Sequence, residues 1–492
     1  MPASWRTAIA SAQRQPRRRD DLSALLAKQL DRRGAPAEAK AAANRLADPS
    51  TVAIVTGQQA GLFGGPLFTI YKAITAIKLA ERLSNEHDVP AVAVFWVESE
   101  DHDWDEIAAV SVLDADMQRR TITLPAPPGA GRAPICRLAL DGSVAPAIDE
   151  LSSTLPATEF TPSLVDTLRD TYAPGTAVSY AFARLLDRWL GHHGLVVFEC
   201  SDGAAKPLAR EIFAREIEHA RTWALAGEAG RQLSASGYHV QVEGSEESGP
   251  ALFRIDGTRA PIDRADEAAL RRDLEERPQT FSPNVLLRPV VEDAIFPTVA
   301  YVSGPNELAY LAQLRRVYEH FSVPMPLMYP RAAATIVDSA SARFLEKHDL
   351  PIETLYARDE AALNRLLAAS LPENVERALK DAEDTMNEKL AAIIAAVPSI
   401  DATLEGAAKS TLGKVQHDLT NLRGKVISAA KRRDETLRRQ FARAQALAFP
   451  DGIPQERAIG TVALFNRYGP ALVQRLMQEL PLDPAHHWVL TL

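Results

Sequence analysis

The hydrophobic residues of this chain follow two alternating patterns, continuous apolar runs and helical repeats of apolar positions. The apolar runs occupy residues 51–55, 91–97, 195–200, 285–293, 298–305 and 325–329. Several are followed by a polar turn and then by apolar residues three or four positions apart, as at Leu67, Ile70, Ile74 and Ile77. Continuous apolar runs are typical of strands buried on both faces of a parallel sheet. The repeated order of strand, turn and helix predicts an α/β core with a mostly parallel sheet.

Two stretches interrupt this core, at about residues 108–175 and 233–283. Both contain short segments with the character of strands, such as 238–242 and 251–255, separated by loop-forming residues. Such segments predict short strands joined by irregular loops. We therefore interpret both stretches as β-rich insertions in the core.

From residue 371 to 447 the pattern changes to long amphipathic helices. Apolar residues recur three or four positions apart among charged ones, and Pro398 separates two such helices. This spacing predicts an antiparallel helical coiled coil. A second copy of the chain is the simplest partner for a long exposed hairpin, and a helical pair folded on its own core is the alternative. The predicted segments are 1–50 (helical), 51–370 (core with insertions), 371–447 (coiled coil) and 448–492 (helical).

Composition and charge narrow the class of protein. The 492 residues are 46% hydrophobic, and the formal net charge is −9 with a pI near 5.8. A large core is therefore expected, whereas a general nucleic-acid binder is not. The two cysteines, Cys136 and Cys200, are too few for a disulfide framework or a cysteine-built zinc site. We expect a cytoplasmic protein without a membrane partner, because no apolar run is long enough to span a bilayer. The arginines between residues 14 and 19 are interpreted as a solvated basic arm, since no apolar signal region follows them.

The glycine-rich stretch at residues 56–66, TGQQAGLFGGP, lies between a predicted strand and a predicted helix. Glycines let backbone N–H groups approach a ligand closely, and a helix N-terminus adds partial positive charge. This arrangement favours an anionic ligand such as a phosphate or a carboxylate. The stretch matches neither the G-x-G-x-x-G fingerprint nor the Walker A motif. The alternative is a tight strand-to-helix connection in which the glycines serve packing.

A dense cluster of acids with one histidine, at residues 98–106, follows the apolar run 91–97. In open α/β sheets, ligands bind outside the carboxyl ends of the strands. Repulsion among the carboxylates must be offset by a cation, a ligand amine or hydrogen-bond donors. The cluster therefore predicts a second part of a binding site, and a solvated acidic loop is the alternative.

These motifs resemble those of the BshC family, the cysteine ligases of bacillithiol biosynthesis. The resemblance rests on stretches that follow one another along nearly the whole chain, at 56–73, 95–103, 286–293, 301–310, 330–331, 450–457 and 468–469. It implies a Rossmann-like core related in architecture to class I aminoacyl-tRNA synthetases, with two connecting-peptide insertions. It also implies a coiled-coil domain that pairs two protomers into a homodimer.

The implied reaction joins L-cysteine to the amine of glucosaminyl malate. Forming an amide from a free carboxylate requires activation, for which ATP with Mg²⁺ is the usual reagent. The acidic cluster would bind the cysteine ammonium, the sugar hydroxyls or a Mg²⁺ that bridges phosphates. Two other functions stay open at this point. One is a different nucleotide-dependent ligase or transferase that acts on a small metabolite. The other is a non-catalytic, dimeric metabolite-binding protein.

The candidate residues come from the motifs that carry the resemblance. The candidate catalytic residues are His102, Asp103 and Lys72, with His102 or Asp103 as the base that takes a proton from the attacking amine. The candidate binding residues are Thr56, Gly57, Gln58, Gln59, Gly64, Gly65, Tyr71, Glu98, Glu100, Asp101, Arg288, Glu292, Tyr301, Gly304, Glu307 and Arg331. No metal ligand is assigned. The structural alternatives are that Lys72 lies on a solvated helix face and that Arg288 pairs with Glu292 or Asp293.

Overall fold

The computed structural model describes residues 2–242, 249–263, 266–357, 360–369, 373–401, 403–433 and 435–492. The positions 243–248 and 264–265 of the second predicted insertion, and 371, 372, 402 and 434 of the predicted coiled coil, lie outside the described residues. The chain divides into two compact units. The first comprises Met1–Thr335 and Gln455–Leu490, and the second comprises Ile336–Pro454 and Thr491–Leu492.

The described residues form strands and helices in a mixed order. The strands are β1 (Val52–Gln59), β2 (Ala91–Glu98), β3 (Ala109–Leu113), β4 (Arg119–Thr123), β5 (Val196–Glu199), β6 (Leu252–Asp256), β7 (Thr258–Pro261), β8 (Phe281–Pro283), β9 (Thr298–Ser303), β10 (Leu327–Pro330), β11 (Ala333–Val337) and β12 (His487–Thr491). The α-helices are α1 (Pro2–Arg14), α2 (Arg19–Arg33), α3 (Ala37–Arg45), α4 (Leu67–His87), α5 (Trp104–Ile107), α6 (Val144–Thr154), α7 (Thr161–Thr171), α8 (Val178–Leu190), α9 (Arg210–His219), α10 (Thr222–Ala235), α11 (Glu267–Glu276), α12 (Arg288–Ile295), α13 (Pro305–Leu311), α14 (Arg315–Phe321), α15 (Ser339–Lys347), α16 (Ala361–Ala369), α17 (Glu373–Ala396), α18 (Leu404–Arg433), α19 (Glu435–Ala448), α20 (Gln455–Ala458), α21 (Thr461–Tyr468) and α22 (Ala471–Glu479).

The centre of the first unit is a five-stranded parallel sheet with the order β10-β9-β1-β2-β5. Numbered by their position in the chain, these strands read 5-4-1-2-3, which is the doubly wound, Rossmann-like order. The predicted parallel α/β core is therefore confirmed. The strand order reverses between β1 and β9, and a ligand crevice is expected at the carboxyl ends of these two strands.

The core strands form where they were expected because their side chains are buried on both faces of the sheet. In β1, the run from Val52 to Val55 is fully buried, and its neighbour β2 is buried from Ala91 to Val97. Each fully buried Val or Ile side chain contributes about 1.5–3 kcal/mol relative to an exposed one. The β-branched residues of these runs also suit a pleated sheet better than a helix.

Three local predictions were wrong. The apolar run 285–293 is not a strand, because Pro289 occupies the first turn of α12 and residues 288–295 are helical. The segment 238–242 forms no strand, and Tyr238 is largely exposed. The spacing of Leu308, Leu311, Leu314 and Val317 predicts a single helix after residue 306, but the structure has two helices, α13 and α14, with a turn at 312–314. The strand at 251–255 is confirmed as β6, which pairs with β7 and β8 in a small antiparallel sheet.

The arginines near the N-terminus are not all in a solvated arm. Arg17 donates from Nη2 to the backbone carbonyl of Asp293 at 2.9 Å and from Nη1 to that of Ala12 at 2.6 Å. Arg19 donates from Nη1 to the carbonyls of Asp48 and Thr51, both at 2.9 Å. Burial lowers the pKa of Arg17 to about 10, with the carboxylate of Asp293 opposing this effect. These side chains therefore fasten the N-terminal helices to the core.

The second unit contains the predicted coiled coil, which is confirmed. The helices α17 and α18 are antiparallel, since Arg423 pairs with Glu376 and Gln416 with Asn387. Their bounds leave Pro398 in the connection, where its missing N–H costs no helical hydrogen bond. Within the described chain, no helix combines the length and apolarity needed to cross a membrane.

The glycine-rich turn after β1 is held in place by packing on both sides. Gly64 has φ +94°, and a Cβ there would lie 2.5 Å from a ring carbon of Trp189. Trp189 in turn stacks on Phe465, with ring centroids 4.0 Å apart. On the other side, Thr461 N donates to Gly65 O at 2.8 Å. The turn therefore has no room for a side chain at position 64.

We predict that Gly64→Ala lowers the free energy of unfolding by roughly 3 kcal/mol, because backbone strain and overlap with Trp189 add. The matched control is Gly175→Ala, at φ +85° with no atom within 4 Å of its Cβ position. It should cost only about 1 kcal/mol, from backbone strain alone. Urea unfolding of both variants checks this, and equal losses would contradict the packing argument.

Asp293 on α12 is a buried carboxyl with an unusual environment. It accepts a hydrogen bond from the Tyr318 hydroxyl at 2.5 Å through Oδ2, while Oδ1 has no hydrogen-bond partner among the described residues. Burial raises the pKa of Asp293 to about 7, although hydrogen bonds from Thr298 and Tyr318 oppose the shift.

This shift predicts a pH dependence of stability. Asp293 holds its proton more tightly in the folded than in the unfolded chain, where its pKa is about 4. Its contribution to stability is therefore complete below about pH 4 and is lost as the pH rises towards 7. Relative to Asp293→Asn, the wild type should lose up to about 1.4 kcal/mol per pH unit in this range. Urea unfolding at several pH values measures the difference, with the exposed Asp116→Asn as control. A difference that does not change with pH would refute the assignment.

Candidate functional site

A cleft of about 530 Å³ opens at the carboxyl ends of the parallel strands. Its position is the one expected from the reversal of strand order between β1 and β9. Its volume lies within the range of small-molecule sites. The cleft is lined by Gly57, Gln58, Gln59, Phe68, Lys72, Glu98, Asp101, Glu106, Trp223, Phe253, Arg259, Pro283, Asn284, Val285, Arg288, Gly304, Pro305, Asn306, Glu307, Tyr310, Arg331 and Arg457.

Lys72 lies at the floor of the cleft and is only 2% exposed. Its Nζ donates to Gly57 O at 2.7 Å and to Gln58 Oε1 at 3.0 Å, and it forms an ion pair with Glu307. Burial lowers the pKa of Lys72, and the charge of Glu307 opposes this effect. The solvated helix face considered for Lys72 is therefore wrong, because α4 buries this side chain against the end of β1.

Glu307 is the partner that α13 supplies. Gly304 N donates to its Oε2 at 2.8 Å, and the hydroxyl of Tyr301 donates to its Oε1 at 3.2 Å. The hydrogen bond from Gly304 N is that of a capping box, in which the side chain of the third helical residue accepts from the backbone N–H of the N-cap residue. Burial would raise the pKa of Glu307, but the charge of Lys72 and the hydrogen bonds from Lys72 and from Gly304 N bring it below the usual value.

Arg331, which follows β10, forms the second buried ion pair of the cleft. Its Nη1 and Nη2 donate to the two carboxylate oxygens of Glu456 at 2.7 and 2.5 Å. Such bidentate pairs fix the orientation of the guanidinium plane. The Nε of Arg331 has no partner in the described chain, and the group lies 5.7 Å from the ring centroid of Phe68. The adjacent Arg457 lines the cleft as an exposed cation.

Arg288 occupies the wall of the cleft at the start of α12. Its Nη2 donates to the Tyr310 hydroxyl at 2.7 Å, and its Nη1 lies 3.6 Å from Glu98 Oε2. The direct partners of Arg288 are therefore Tyr310 and Glu98. Glu292 lies behind it, only 1% exposed, with Oε1 unpartnered among the described residues. Burial and then the repulsion from Asp293 raise the pKa of Glu292 well above its usual range.

The acidic cluster contributes only some of its members to the cleft. Asp101 lines it and is 3.5 Å from Nη1 of Arg259, while Gln59 donates to Asp101 at 3.1 Å and to Glu106 at 2.7 Å. The carboxylates are thus separated by donors from β1 and from the second insertion. This arrangement supplies the compensation that their repulsion requires.

The other predicted residues of this cluster lie elsewhere. Glu100 is buried outside the cleft lining, in an ion pair of 2.5 Å with Lys206. His102 has a side chain that is 42% exposed, with Nδ1 3.3 Å from Asp101. Asp103 caps α5 by accepting a hydrogen bond from Glu106 N. The structure therefore does not bring His102 or Asp103 into the cleft lining.

The glycine-rich turn does not offer the N–H groups that the sequence suggested. Those of Gly61, Gly64 and Gly65 donate to the carbonyls of Gln59, Gly61 and Leu62 at 2.9–3.2 Å. Gly64 and Gly65 do not line the cleft, and in the structure they form a tight strand-to-helix connection in which the glycines serve packing. Nor do Thr56, Tyr71 and Tyr301 line it; Thr56 donates to Val302 O at 2.8 Å and Tyr71 is fully buried in α4.

Several lining residues were missed because they come from the insertion or its borders. Arg259 stacks on Phe253, with the guanidinium 3.7 Å from the ring centroid, and Trp223 and Asn284 also line the cleft. No spacing in the sequence links these residues to the glycine-rich stretch. The available signal was Asn284 itself, directly before the apolar run whose motif includes Arg288.

No set of three or more His, Cys, Asp or Glu side chains is arranged to hold a metal ion within the part of the chain that the structure describes. Glu98, Asp101 and Glu307 are instead paired with Arg or Lys side chains, and Glu106 accepts a hydrogen bond from Gln59. A divalent cation would therefore need ligands from a bound substrate in addition to one or two of these carboxylates.

Comparison with known proteins identifies the family. The family model "Bacillithiol biosynthesis BshC, N-terminal Rossmann-like domain" matches residues 1–332, and "Bacillithiol biosynthesis BshC, C-terminal coiled-coil domain" matches residues 334–492. A relative from Salinibacter ruber, named "Putative cysteine ligase BshC", is 35% identical over 99% of this chain and 92% of its own length. Relatives with the same name from Chlorobaculum tepidum and Koribacter versatilis are each 33% identical, over 94% and 97% of this chain and 87% and 91% of their own. The chain therefore belongs to the BshC family of bacillithiol biosynthesis.

Proposed function

We propose that this chain is a carbon–nitrogen ligase that joins L-cysteine to the amine of glucosaminyl malate. The observation that carries the proposal is the charge pattern of the cleft, which presents both signs at the carboxyl ends of the sheet. The acids are Glu98, Asp101, Glu106 and Glu307, and the cations are Lys72, Arg259, Arg288, Arg331 and Arg457. The name of the relatives supports the cysteine part of the reaction.

This charge pattern matches the two substrates. Cysteine carries an ammonium and a carboxylate, and glucosaminyl malate carries an amine and two carboxylates. A site that holds both needs anions for the amines and cations for the carboxylates, within reach of one another. Holding the amine of one substrate against the acyl carbon of the other converts a bimolecular step into a step within one complex.

Lys72 has an electrostatic role in this proposal. Its three N–H groups are directed at Gly57 O, Gln58 Oε1 and Glu307, so the ammonium is fixed. A preorganised positive charge stabilises negative charge that develops on the acyl oxygen in the transition state. The proton of the attacking amine passes to a carboxylate of the predicted acidic cluster, of which Glu98, Asp101 and Glu106 line the cleft.

Activation of the cysteine carboxylate requires a reagent, and we propose ATP with Mg²⁺. The glycine-rich turn is the weaker candidate for the phosphate site, because its N–H groups at Gly61, Gly64 and Gly65 donate to backbone carbonyls. The exposed cation Arg457 and the unpartnered Nε of Arg331 are the groups that fit a phosphate. The cysteine carboxylate would attack the γ-phosphorus of ATP and release ADP, giving an acyl phosphate, or attack the α-phosphorus and release pyrophosphate, giving an acyl adenylate. Attack by the amine on the acyl carbon would then release phosphate or AMP.

A product assay tests the whole proposal. Purified protein would receive cysteine and glucosaminyl malate, with and without ATP and Mg²⁺, and mass spectrometry would detect the amide. Product that depends on ATP supports the ligase, and release of AMP or ADP identifies the intermediate. Binding of the substrates without turnover would instead support the metabolite-binding alternative.

We predict that Lys72→Met lowers kcat/KM about 100-fold, because the charge that stabilises the transition state is lost. The matched control is Lys78→Met on the same helix, where Nζ donates to Leu480 O outside the cleft.

We expect His102→Ala to lower kcat/KM less than tenfold, since His102 does not line the cleft. The amide assay measures all three variants. Full activity in Lys72→Met, or a larger loss in His102→Ala, would reverse the assignment.

We further propose that the coiled coil pairs two copies of the chain. Helices α17 and α18 expose Met386, Ile393, Leu404 and Leu422, the last of these 49% exposed. Large apolar side chains exposed at helical spacing are typical of a surface that is covered by another chain. A homodimer through this helical pair is the simplest arrangement that buries them.

Leu422→Glu tests this surface. We expect the substitution to shift the protein from dimer to monomer, because a carboxylate would be buried without a partner. Asn421→Glu is the control, since it adds the same charge to the neighbouring exposed position. Sedimentation equilibrium measures the molecular mass of each. A wild type that is monomeric at micromolar concentration would refute the dimer.

A further inference from the structure

Asn284 is fixed at the wall of the cleft by almost all of its hydrogen-bonding groups. Its backbone N–H donates to Ala251 O at 3.0 Å, and its backbone carbonyl accepts from Arg288 N at 2.9 Å. Its side-chain Oδ1 accepts from the N–H groups of Leu286 and Leu287 at 3.0 and 2.9 Å. Because both of those partners are donors, they settle which side-chain atom is the oxygen and which is the nitrogen.

The remaining group of Asn284 is the side-chain Nδ2. The residue is only 5% exposed and lines the cleft, and its Nδ2 is a buried atom with no hydrogen-bond acceptor among the described residues. Buried amide groups are nearly always hydrogen-bonded, so an exception in a binding cleft asks for an explanation. Since Nδ2 carries two N–H groups and its lone pair is delocalised into the amide, its partner must be an acceptor.

The surroundings of Nδ2 define the acceptor more closely. Arg259 Nη2 donates to Pro283 O at 3.2 Å, one residue before Asn284, and Arg288 begins α12 four residues after it. Two guanidinium groups therefore flank this part of the wall. The aromatic rings of Trp223 and Phe253 also line the cleft and lower its local polarity. Each guanidinium group has a carboxylate beside it, Asp101 for Arg259 and Glu98 for Arg288, so this part of the cleft carries charges of both signs. A fixed N–H donor next to two guanidinium groups suits a carboxylate.

We propose that Asn284 is a substrate-contact residue whose Nδ2 donates a hydrogen bond to a carboxylate oxygen of a substrate. This inference rests on the proposed ligase function for the identity of the substrates. The carboxylate belongs either to cysteine or to the malate group of glucosaminyl malate. The fixed donor would orient that substrate and would reject analogues in which the carboxylate is esterified or absent.

Two variants test the inference. Asn284→Asp keeps an oxygen for Leu286 N and Leu287 N but replaces the donor by a negatively charged acceptor. Asn284→Ser keeps an acceptor for the same turn without adding charge. We expect a loss of affinity of at least tenfold for one substrate, larger in Asn284→Asp than in Asn284→Ser, with little change in Tm. Titration calorimetry with cysteine and with glucosaminyl malate, each alone, identifies which substrate is bound.

Esterified probes supply a second measurement. The wild type should bind cysteine methyl ester, or the dimethyl ester of glucosaminyl malate, more weakly than the free acid. For the affected substrate, the preference for the acid over the ester should be smaller in Asn284→Ser than in the wild type, because the lost donor and the lost carboxylate are partners in one interaction. If Asn284→Ser lowers the affinity for the acid and for the ester by the same factor, Asn284 supports the fold of the cleft and does not contact the carboxylate. That result would overturn the inference.

Asn466→Asp is the matched control for a buried amide. Its Nδ2 donates to Pro156 O at 2.8 Å and its Oδ1 accepts from Thr161, so it is satisfied within the protein. This variant should lower the Tm while the affinity of the folded protein is kept. If the wild type binds the substrates but makes no amide, the proposed ligase fails and the Asn284 inference is still tested by affinity. Wild-type protein that binds neither substrate, or unchanged affinity in both Asn284 variants, overturns the inference.

Discussion

The cleft depends on one buried ion pair, between Lys72 and Glu307. Through its hydrogen bonds, the ammonium of Lys72 connects helix α4 to the end of β1, and the carboxylate of Glu307 connects it to the cap of α13. These elements flank the position where the strand order of the sheet reverses. A buried charge is costly unless it is paired and hydrogen-bonded, so each partner restricts where the other can lie. The floor of the cleft is therefore rigid before any substrate arrives.

A second ion pair, Arg331 with Glu456, repeats this arrangement at the neighbouring strand end. It joins the residue after β10 to α20, which also supplies the exposed Arg457. Both pairs leave the charge of the cleft balanced and its walls fixed. Three groups still have hydrogen-bond donors for a substrate: Arg457, the Nε of Arg331 and the Nδ2 of Asn284. Recognition of a charged substrate thus takes place on a framework that is itself neutralised.

The sequence predicted the parts of the fold that depend on local pattern. The continuous apolar runs of β1 and β2 and the spacing in α17 and α18 give their structures directly, because burial on two faces and helical periodicity are local properties. The run at 285–293 was wrongly predicted to be a strand because its residues are apolar. In the structure, the turn at Asn284 and Pro289 begin the helix α12 instead. For the site, Lys72, Arg288 and Glu307 were predicted and line the cleft. His102 was predicted but does not line the cleft, and Arg259 lines it but was not predicted, since tertiary packing alone decides which side chains of loops and insertions reach a cleft.

The contribution of Glu456 and Arg457 has a consequence for the order in which the protein is made. These residues belong to the first compact unit, yet the ribosome synthesises them only after Ile336–Pro454 of the second unit. A nascent chain that ends before α20 contains all five strands of the parallel sheet. It lacks Glu456, the carboxylate partner of Arg331. The cleft thus closes late, by a contact between distant parts of the chain, and such contacts slow folding. Synthesis is thereby separated in time from activity, because a partial chain has the scaffold without the finished pocket.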